Sequence, residues 1–142
     1  MKKIIIYTDG GSRNNPGIAG AGAVIKNAEG ETIKEIIKPL GIKTNNWAEY
    51  EAVIIGLEEA KKMFGKKLAD MEIEVRMDSE LVARQLSGKY QIKEETLFPQ
   101  FIKIWNTRVK HIPNIKFVHI KREENKEADK LANDAMDKQM QN

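Results

Sequence analysis

The first forty residues contain three β-strand patterns joined by connections too short for a helical crossover. The apolar and β-branched runs cover Lys3–Thr8, Gly20–Lys26 and Thr32–Leu40, and Asn27–Gly30 forms a turn between the last two. Parallel strands need a crossover of a dozen or more residues, so strands connected this closely pair antiparallel. The chain is therefore predicted to begin as an antiparallel sheet.

Helical and strand patterns alternate through the rest of the chain. In chain order the predicted elements are a helix over Asn46–Phe64 ending at Gly65, a strand over Met71–Met77, a helix capped by Ser79 and running to about Ser87, a helix marked by Leu97, Phe101, Ile104 and Trp105, a strand over Ile115–Ile120, and a helix opened by Asn125. Phe101 and Trp105 are expected in the core. The order β-β-β-α-β-α-α-β-α predicts an α/β fold whose five-stranded mixed sheet is flanked by helices, in one domain over 1–142.

Composition narrows the possible functions. The chain has 142 residues, a net charge of +3 and a pI of about 9.0, which is compatible with a polyanionic partner. It contains no cysteine, so disulfides, cysteine-ligated zinc and thiol catalysis are excluded. We find neither a signal-peptide pattern nor an apolar run of membrane-spanning length. A cytoplasmic monomer without membrane contact is expected.

Four carboxylates fall at the ends of predicted elements. Asp9 ends the first strand, Asp78 ends the fourth, and Glu49 and Asp129 lie in the first turns of helices with their side chains toward the packed side. Carboxyl ends of parallel strands and the N-termini of the following helices share one edge of a sheet. Taken singly, each acid also fits a helix-dipole or solvated role. Together they predict an acidic cluster at that edge.

Such a cluster would repel itself unless cations lay among the acids. Hard divalent ions such as Mg²⁺ prefer oxygen ligands, and a pair of them can activate water for phosphoryl displacement. The chain has no P-loop motif and only two histidines, His111 and His119. The residues thus predict a carboxylate-only site of the magnesium type.

Four segments of the chain form a set of motifs in a fixed order: Tyr7–Ser12 with Asn15–Gly17, Thr44–Tyr50, Met77–Ser79, and Arg122–Asp129. Together they resemble the type 1 ribonucleases H, and in particular their short-loop, archaeal-like branch. The resemblance covers nearly the whole chain and implies the ribonuclease H-like fold. It also implies metal-binding roles for Asp9, Glu49, Asp78 and Asp129, with two Mg²⁺ or Mn²⁺ ions per site. The implied reaction is endonucleolytic cleavage of the RNA strand of RNA/DNA hybrids, leaving 5′-phosphate and 3′-hydroxyl ends.

Small polar residues around these acids suit the RNA minor groove, where the 2′-hydroxyl distinguishes RNA from DNA. The predicted substrate-binding residues are Gly10, Gly11, Ser12, Asn15, Thr44, Asn45 and Asn46. Ordinary turn chemistry is the alternative explanation for the same residue types.

The chain departs from the family pattern in two places. Many members carry a histidine on a loop before the last acid, whereas here the corresponding place holds Arg122, predicted to clamp a phosphate and act in catalysis. His119 is expected to lie within a strand. A basic, Trp-rich protrusion is also missing, and Lys89 and Lys93 are either phosphate contacts or merely solvated. Affinity should be modest and salt-sensitive. Cleavage of double-stranded RNA and an inactive nucleic-acid-binding module remain alternatives.

Overall fold

The computed structural model describes residues 2–140 and contains a five-stranded mixed sheet of order β3-β2-β1-β4-β5. The strands are β1 (Lys3–Ser12), β2 (Gly17–Asn27), β3 (Thr32–Lys43), β4 (Glu72–Met77) and β5 (Ile115–His119). Strands β1 to β3 pair antiparallel, while β4 pairs parallel with β1 and β5 parallel with β4. The predicted fold class is confirmed.

Four α-helices flank the sheet. They are α1 (Asn45–Phe64), α2 (Glu80–Leu86), α3 (Phe98–His111) and α4 (Lys126–Gln139). As predicted, the Ser79 hydroxyl caps α2 by accepting a hydrogen bond from the Val82 amide at 3.2 Å, and Gly65 ends α1 with a positive φ of 55°. Within residues 2–140, no helix is both long and apolar enough to cross a membrane.

The main core lies between α1 and the sheet. Alternate residues of β1 and β4, Ile4 and Ile6 beside Ile73 and Val75, are in register and fully buried. Each buried aliphatic side chain contributes about 1.5–3 kcal/mol of hydrophobic stabilisation. This packing fixes β1 and β4 as neighbours at the centre of the sheet.

Helix α4 covers the opposite face of β2, where two glycines allow a close approach. A Cβ on Gly22 would lie 2.6 Å from the Leu131 Cβ, and a Cβ on Gly20 would lie 2.7 Å from the Ala132 carbonyl oxygen. Both distances are shorter than real Cβ atoms tolerate, so the glycines let α4 lie against the strand backbone. The two glycines therefore fix how closely α4 lies against the sheet.

Two sequence-based expectations about the strands and the core are corrected by the structure. First, Asp9 does not end its strand, because β1 continues through Gly10 and Gly11 to Ser12 in antiparallel pairing with β2. Second, Trp105 is not a core residue, since it is 51% exposed. It is next to Ile104, which does face the core, and adjacent helical residues point about 100° apart.

Candidate active site

Strands β1 and β4 carry two of the predicted acids to one place. The parallel pairing of these strands ends at Tyr7 and Arg76, and Asp9 lies two residues further along β1, opposite Gly22 of β2. Asp78 directly follows β4. Asp9 is thus placed where its neighbouring strand has just ended, which leaves room beside it for other side chains.

Glu49 is brought to Asp9 by the close approach of α1 to β1. A Cβ on Gly10 would lie only 2.2 Å from the Ala48 carbonyl oxygen, so only glycine permits this contact. The Gly10 amide donates to Glu49 Oε1 at 3.4 Å. Because α1 begins at Asn45, Glu49 lies in its second turn and not in the first as predicted. Its side chain points to the packed side, as expected, and is 8% exposed.

Asp9, Glu49 and Asp78 form a compact carboxylate cluster. One oxygen from each lies within 4.8 Å of the other two. Burial, reinforced by the Asp78 charge, raises the pKa of Asp9 to about 7. Burial and the nearby Asp9 carboxylate also raise the pKa of Glu49 well above its usual value. These are acids held together against their mutual repulsion.

The donor chemistry of the cluster fits a hard divalent cation. Glu49 Oε2 is buried without a hydrogen-bond partner among the described residues, and such an unpaired oxygen is costly. A divalent ion among the three carboxylates would satisfy that oxygen and offset the repulsion, since Mg²⁺ and Mn²⁺ prefer oxygen ligands.

Asp129 lies in the same cleft but not in the buried cluster. It is in the first turn of α4 as predicted, yet it is exposed and does not lean toward the core; the buried position is taken by its neighbour Ala128. Besides burial and Asp78, Asp129 also contributes to the raised pKa of Asp9, so the two carboxylates interact.

A cleft of about 490 Å³ contains most of the predicted site residues. Its lining includes the four acids, Arg122, Gly10, Gly11, Ser12, Asn45 and Asn46. Two other predicted substrate-binding residues, Asn15 and Thr44, do not line it. The Thr44 hydroxyl caps α1 by accepting from the Trp47 amide at 3.2 Å, and Asn15 Oδ1 accepts from the Asn45 amide at 3.0 Å. Both residues hold the surrounding backbone.

The two basic candidates of the last loop lie in different places. Arg122 begins a short 3-10 turn, Arg122–Glu124, and lines the cleft with an exposed side chain. His119 is the last residue of β5, as the alternation predicted, and it does not line the cleft. Of the two, Arg122 is therefore the one positioned to meet a bound molecule.

Sequence reasoning missed the structural role of Asn125. Its side chain is 1% exposed and does not cap α4; its Nδ2 donates to the Thr8 carbonyl oxygen at 2.9 Å and lies 3.5 Å from Asp78 Oδ2. Asn125 thereby links the start of α4 to the backbone of β1 beside the acids. The N-cap position was visible in the sequence, but Thr8 is 117 residues away and that contact was not.

The raised carboxyl pKa values predict an unusual pH dependence of stability. Between the usual Asp pKa of 3.8 and about 7, the metal-free folded protein keeps a proton on Asp9 that the unfolded chain has released. Its free energy of unfolding should therefore fall as the pH rises through this window. Thermal unfolding in EDTA at pH 5.5 and 8 should show a lower melting temperature at pH 8, by several degrees. Added Mg²⁺ or Mn²⁺ should raise the melting temperature more at pH 8 than at pH 5.5. An equal rise at both pH values would contradict the coupling between the raised carboxyl pKa values and stability.

Comparison with known proteins identifies the family of the chain. Residues 7–135 match the family described as "Reverse transcriptase-like". The chain is 40% identical over 136 residues to the bifunctional protein Rv2228c of Mycobacterium tuberculosis and 36% identical over 135 residues to ribonuclease HI of Halobacterium salinarum. It spans 36% and 65% of the lengths of these two relatives.

Solved structures agree over the whole chain. LC11-RNase H1, isolated from compost by a metagenomic approach, superimposes with a TM-score of 0.93 at 55% identity and covers 99% of both chains. The same protein has been solved in complex with an RNA/DNA hybrid, with a TM-score of 0.93, 54% identity and coverage of 96% of this chain and 99% of that one. Because the family model matches most of the chain and these structures match its fold at more than half identity, the chain belongs to the ribonuclease H family.

Proposed function

We propose that this protein is an endoribonuclease that hydrolyses the RNA strand of RNA/DNA hybrids with Mg²⁺ or Mn²⁺. The observation that carries the proposal is the compact cluster of Asp9, Glu49 and Asp78. The raised pKa values of the buried Asp9 and Glu49, and the unpaired Glu49 oxygen, call for cations there. An inactive binding module would gain nothing from three carboxylates held in mutual repulsion.

The chain offers four acids to hold two divalent ions. Asp9, at the centre of the cluster, would be shared; Glu49 and Asp78 would complete the buried side, and Asp129 the open side of the cleft. When bound, the ions would supply activation of a water and stabilisation of the leaving oxygen of the phosphodiester, which would give 5′-phosphate and 3′-hydroxyl ends. The protein's part is to orient Asp9 and Glu49. Because burial raises the pKa of both acids, the cations are what would keep them deprotonated at neutral pH.

The rim of the cleft suits the sugar edge of an RNA strand. Asn45 Oδ1 accepts hydrogen bonds from the Ser12 amide at 2.8 Å and from its hydroxyl at 3.1 Å, which fixes the β1 end against the start of α1. Asn45 is exposed, so its side-chain nitrogen Nδ2 remains at the cleft surface, next to Gly11 and Asn46. We expect these groups to meet 2′-hydroxyls across a shallow minor groove.

A second groove, adjoining the cleft, gives room for the other strand of a duplex. It has a volume of about 550 Å³ and shares Asn46 with the cleft. Leu81 and Tyr90 form an exposed apolar floor, and Lys89 and Lys93 are exposed cations on its lining. Lysines beside an aromatic surface suit a sugar–phosphate strand. We infer that this groove contacts the second strand of the duplex, which is the role of the basic protrusion in family members that carry one.

The proposal is tested with labelled RNA/DNA, RNA/RNA and DNA/DNA duplexes of one sequence, incubated with Mg²⁺ or Mn²⁺. Cutting confined to the RNA strand of the hybrid, absent in EDTA, is the expected result. Equal cutting of RNA/RNA would mean that the protein is not specific for hybrids and also cuts duplex RNA. Binding of the hybrid without any cleavage would favour the inactive module.

Arg122 and His119 provide a matched pair for testing the last loop. Because Arg122 lines the cleft with a permanently charged guanidinium, Arg122→Ala should lower turnover about tenfold through loss of a phosphate contact. His119→Ala, outside the cleft, should change turnover less than twofold. Steady-state cleavage of the hybrid at saturating Mg²⁺ measures both. A greater loss of turnover in the histidine variant would contradict the role proposed for Arg122.

A further inference from the structure

Asp129 is the most exposed of the four acids, and burial does not fix its side chain. It lines the cleft together with Asp9, Glu49 and Asp78. A carboxylate this exposed keeps one orientation only where a hydrogen-bond donor of the protein holds it.

Asn133, one turn further along α4, supplies such a donor. Its Nδ2 lies 3.4 Å from Asp129 Oδ1 and donates to the Asp129 carbonyl oxygen at 3.0 Å. A side-chain amide donates through only one of its two ends, so the contact depends on which end faces Asp129.

Arg13 fixes the orientation of that amide. Its Nη2 donates to Asn133 Oδ1 at 3.2 Å, and a guanidinium has no acceptor, so the amide oxygen must face Arg13 and the amide nitrogen must face Asp129. Arg13 is itself held by Asp137, a further turn along α4, through a 2.7 Å ion pair to Nη1. Arg13, Asn133 and Asp129 thus form a continuous polar chain along the cleft wall.

The same arginine belongs to the β1–β2 loop. The Arg13 amide donates to the Ile18 carbonyl oxygen at 2.9 Å across the loop. Two residues further, Asn15 accepts from the Asn45 amide at the start of α1. The loop is therefore tied to α1 on one side and, through Arg13, to α4 and Asp129 on the other.

We propose that Arg13 and Asn133 are positioning residues that hold Asp129 ready for a divalent cation and couple it to the β1–β2 loop. The inference rests on the proposed function for the reaction, but its effect on cation binding is measurable without substrate. Removing outer partners of metal ligands usually weakens binding about 10- to 100-fold. Because this contact is long and partly exposed, Asn133→Ala and Arg13→Ala should each weaken Mn²⁺ binding roughly three- to tenfold.

The test is Mn²⁺ titration calorimetry of the full chain, with the half-saturating Mn²⁺ concentration for hybrid cleavage as a second measurement. A double-mutant cycle separates positioning from general damage to the helix. If Asn133 acts through Asp129, the Asn133→Ala effect should vanish in an Asp129→Ala background. Lys130→Ala is the matched control, since it removes the exposed 3.1 Å pair with Asp134 on the same helix and should leave both measurements unchanged.

The results distinguish this inference from the proposed function. Wild-type affinity and half-saturation in both Asn133→Ala and Arg13→Ala would overturn the inference, as would an Asn133→Ala effect that persists undiminished without Asp129. If the variants weaken Mn²⁺ binding as expected but the wild-type protein cuts no hybrid, the positioning roles stand and the proposed ribonuclease activity fails.

Discussion

Asp9→Asn is expected to lower hybrid cleavage by at least about a thousandfold while leaving the fold intact. Asp9 interacts with each of the other three acids, and its loss would remove several kcal/mol of cation-mediated stabilisation of the transition state, where each 1.4 kcal/mol is tenfold in rate. Single-turnover cleavage of a labelled hybrid at saturating Mg²⁺ measures the loss. Cleavage within tenfold of the wild-type rate would sink the proposed mechanism.

The same variant should be more stable than the wild type without metal. Asp9→Asn removes a buried carboxylate whose pKa is raised to about 7, and it relieves Glu49 of a neighbouring charge. At pH 8 in EDTA we expect a gain of about 1–2 kcal/mol in the free energy of unfolding, less than the full pKa shift implies, because the two acids share the effect. Urea unfolding checks this, and a destabilised Asp9→Asn would mean that the inactivity reflects misfolding.

Gly10→Ala is expected to destabilise the protein by about 3–5 kcal/mol. The new Cβ would lie 2.2 Å from the Ala48 carbonyl oxygen and 2.7 Å from the Glu49 amide nitrogen, and both atoms belong to the backbone of α1. Neither can move alone, so α1 must shift away from β1 and carry Glu49 with it. Urea unfolding followed by circular dichroism should show an earlier midpoint, with cleavage lost in the same variant.

Gly11→Ala is the matched stability control. Its Cβ would meet only Asn45 Oδ1 at 3.8 Å, an ordinary van der Waals contact. The change should alter the free energy of unfolding by less than about 1 kcal/mol. Equal destabilisation by the two variants would show that general loss of glycine flexibility, and not the approach of α1, explains the effect at Gly10.

The fold could be predicted from the sequence because its elements follow simple periodicities. Alternation in β4 and β5, the helical stripe of α1 and the Asn27–Gly30 turn each indicate one local structure, and the short connections set the antiparallel start. The misplaced end of β1 has a specific cause. Gly10 and Gly11 have turn-forming composition, but Gly10 is a glycine because α1 packs against it. Sequence alone cannot separate these two uses of glycine.

The site was predictable to the extent that it lies on element ends. The convergence of Asp9, Glu49 and Asp78 followed from topology, and the structure brings the three together, although Asp9 lies inside β1 and Glu49 in the second turn of α1. The exposure of Asp129 did not follow, because two adjacent helical residues compete for the buried face and Ala128 occupies it. The metal ions, the substrate roles of the cleft residues, the monomeric state and the cytoplasmic location stay predictions.

The contacts that sequence reasoning missed all join distant segments. Asn125 with Thr8, and Arg13 with Asn133, are separated by 117 and 120 residues. Asn125, Arg13 and Asn133 are polar, and their residue types alone suggest solvated positions in a loop or helix. Only the docking of α4 on the sheet shows that these side chains have partners.

The way α4 docks also bears on how the loop before it can change. Gly20 and Gly22 locate the helix from the sheet side, and Asn125 ties its start to β1, so residues 121–124 are not what places Asp129. These four residues can change while the acid stays where it is. A substitution at Arg122 can therefore change what this loop presents to a bound molecule without rebuilding the cleft. The placement of the acids and the identity of the side chain that faces them from the loop are set independently.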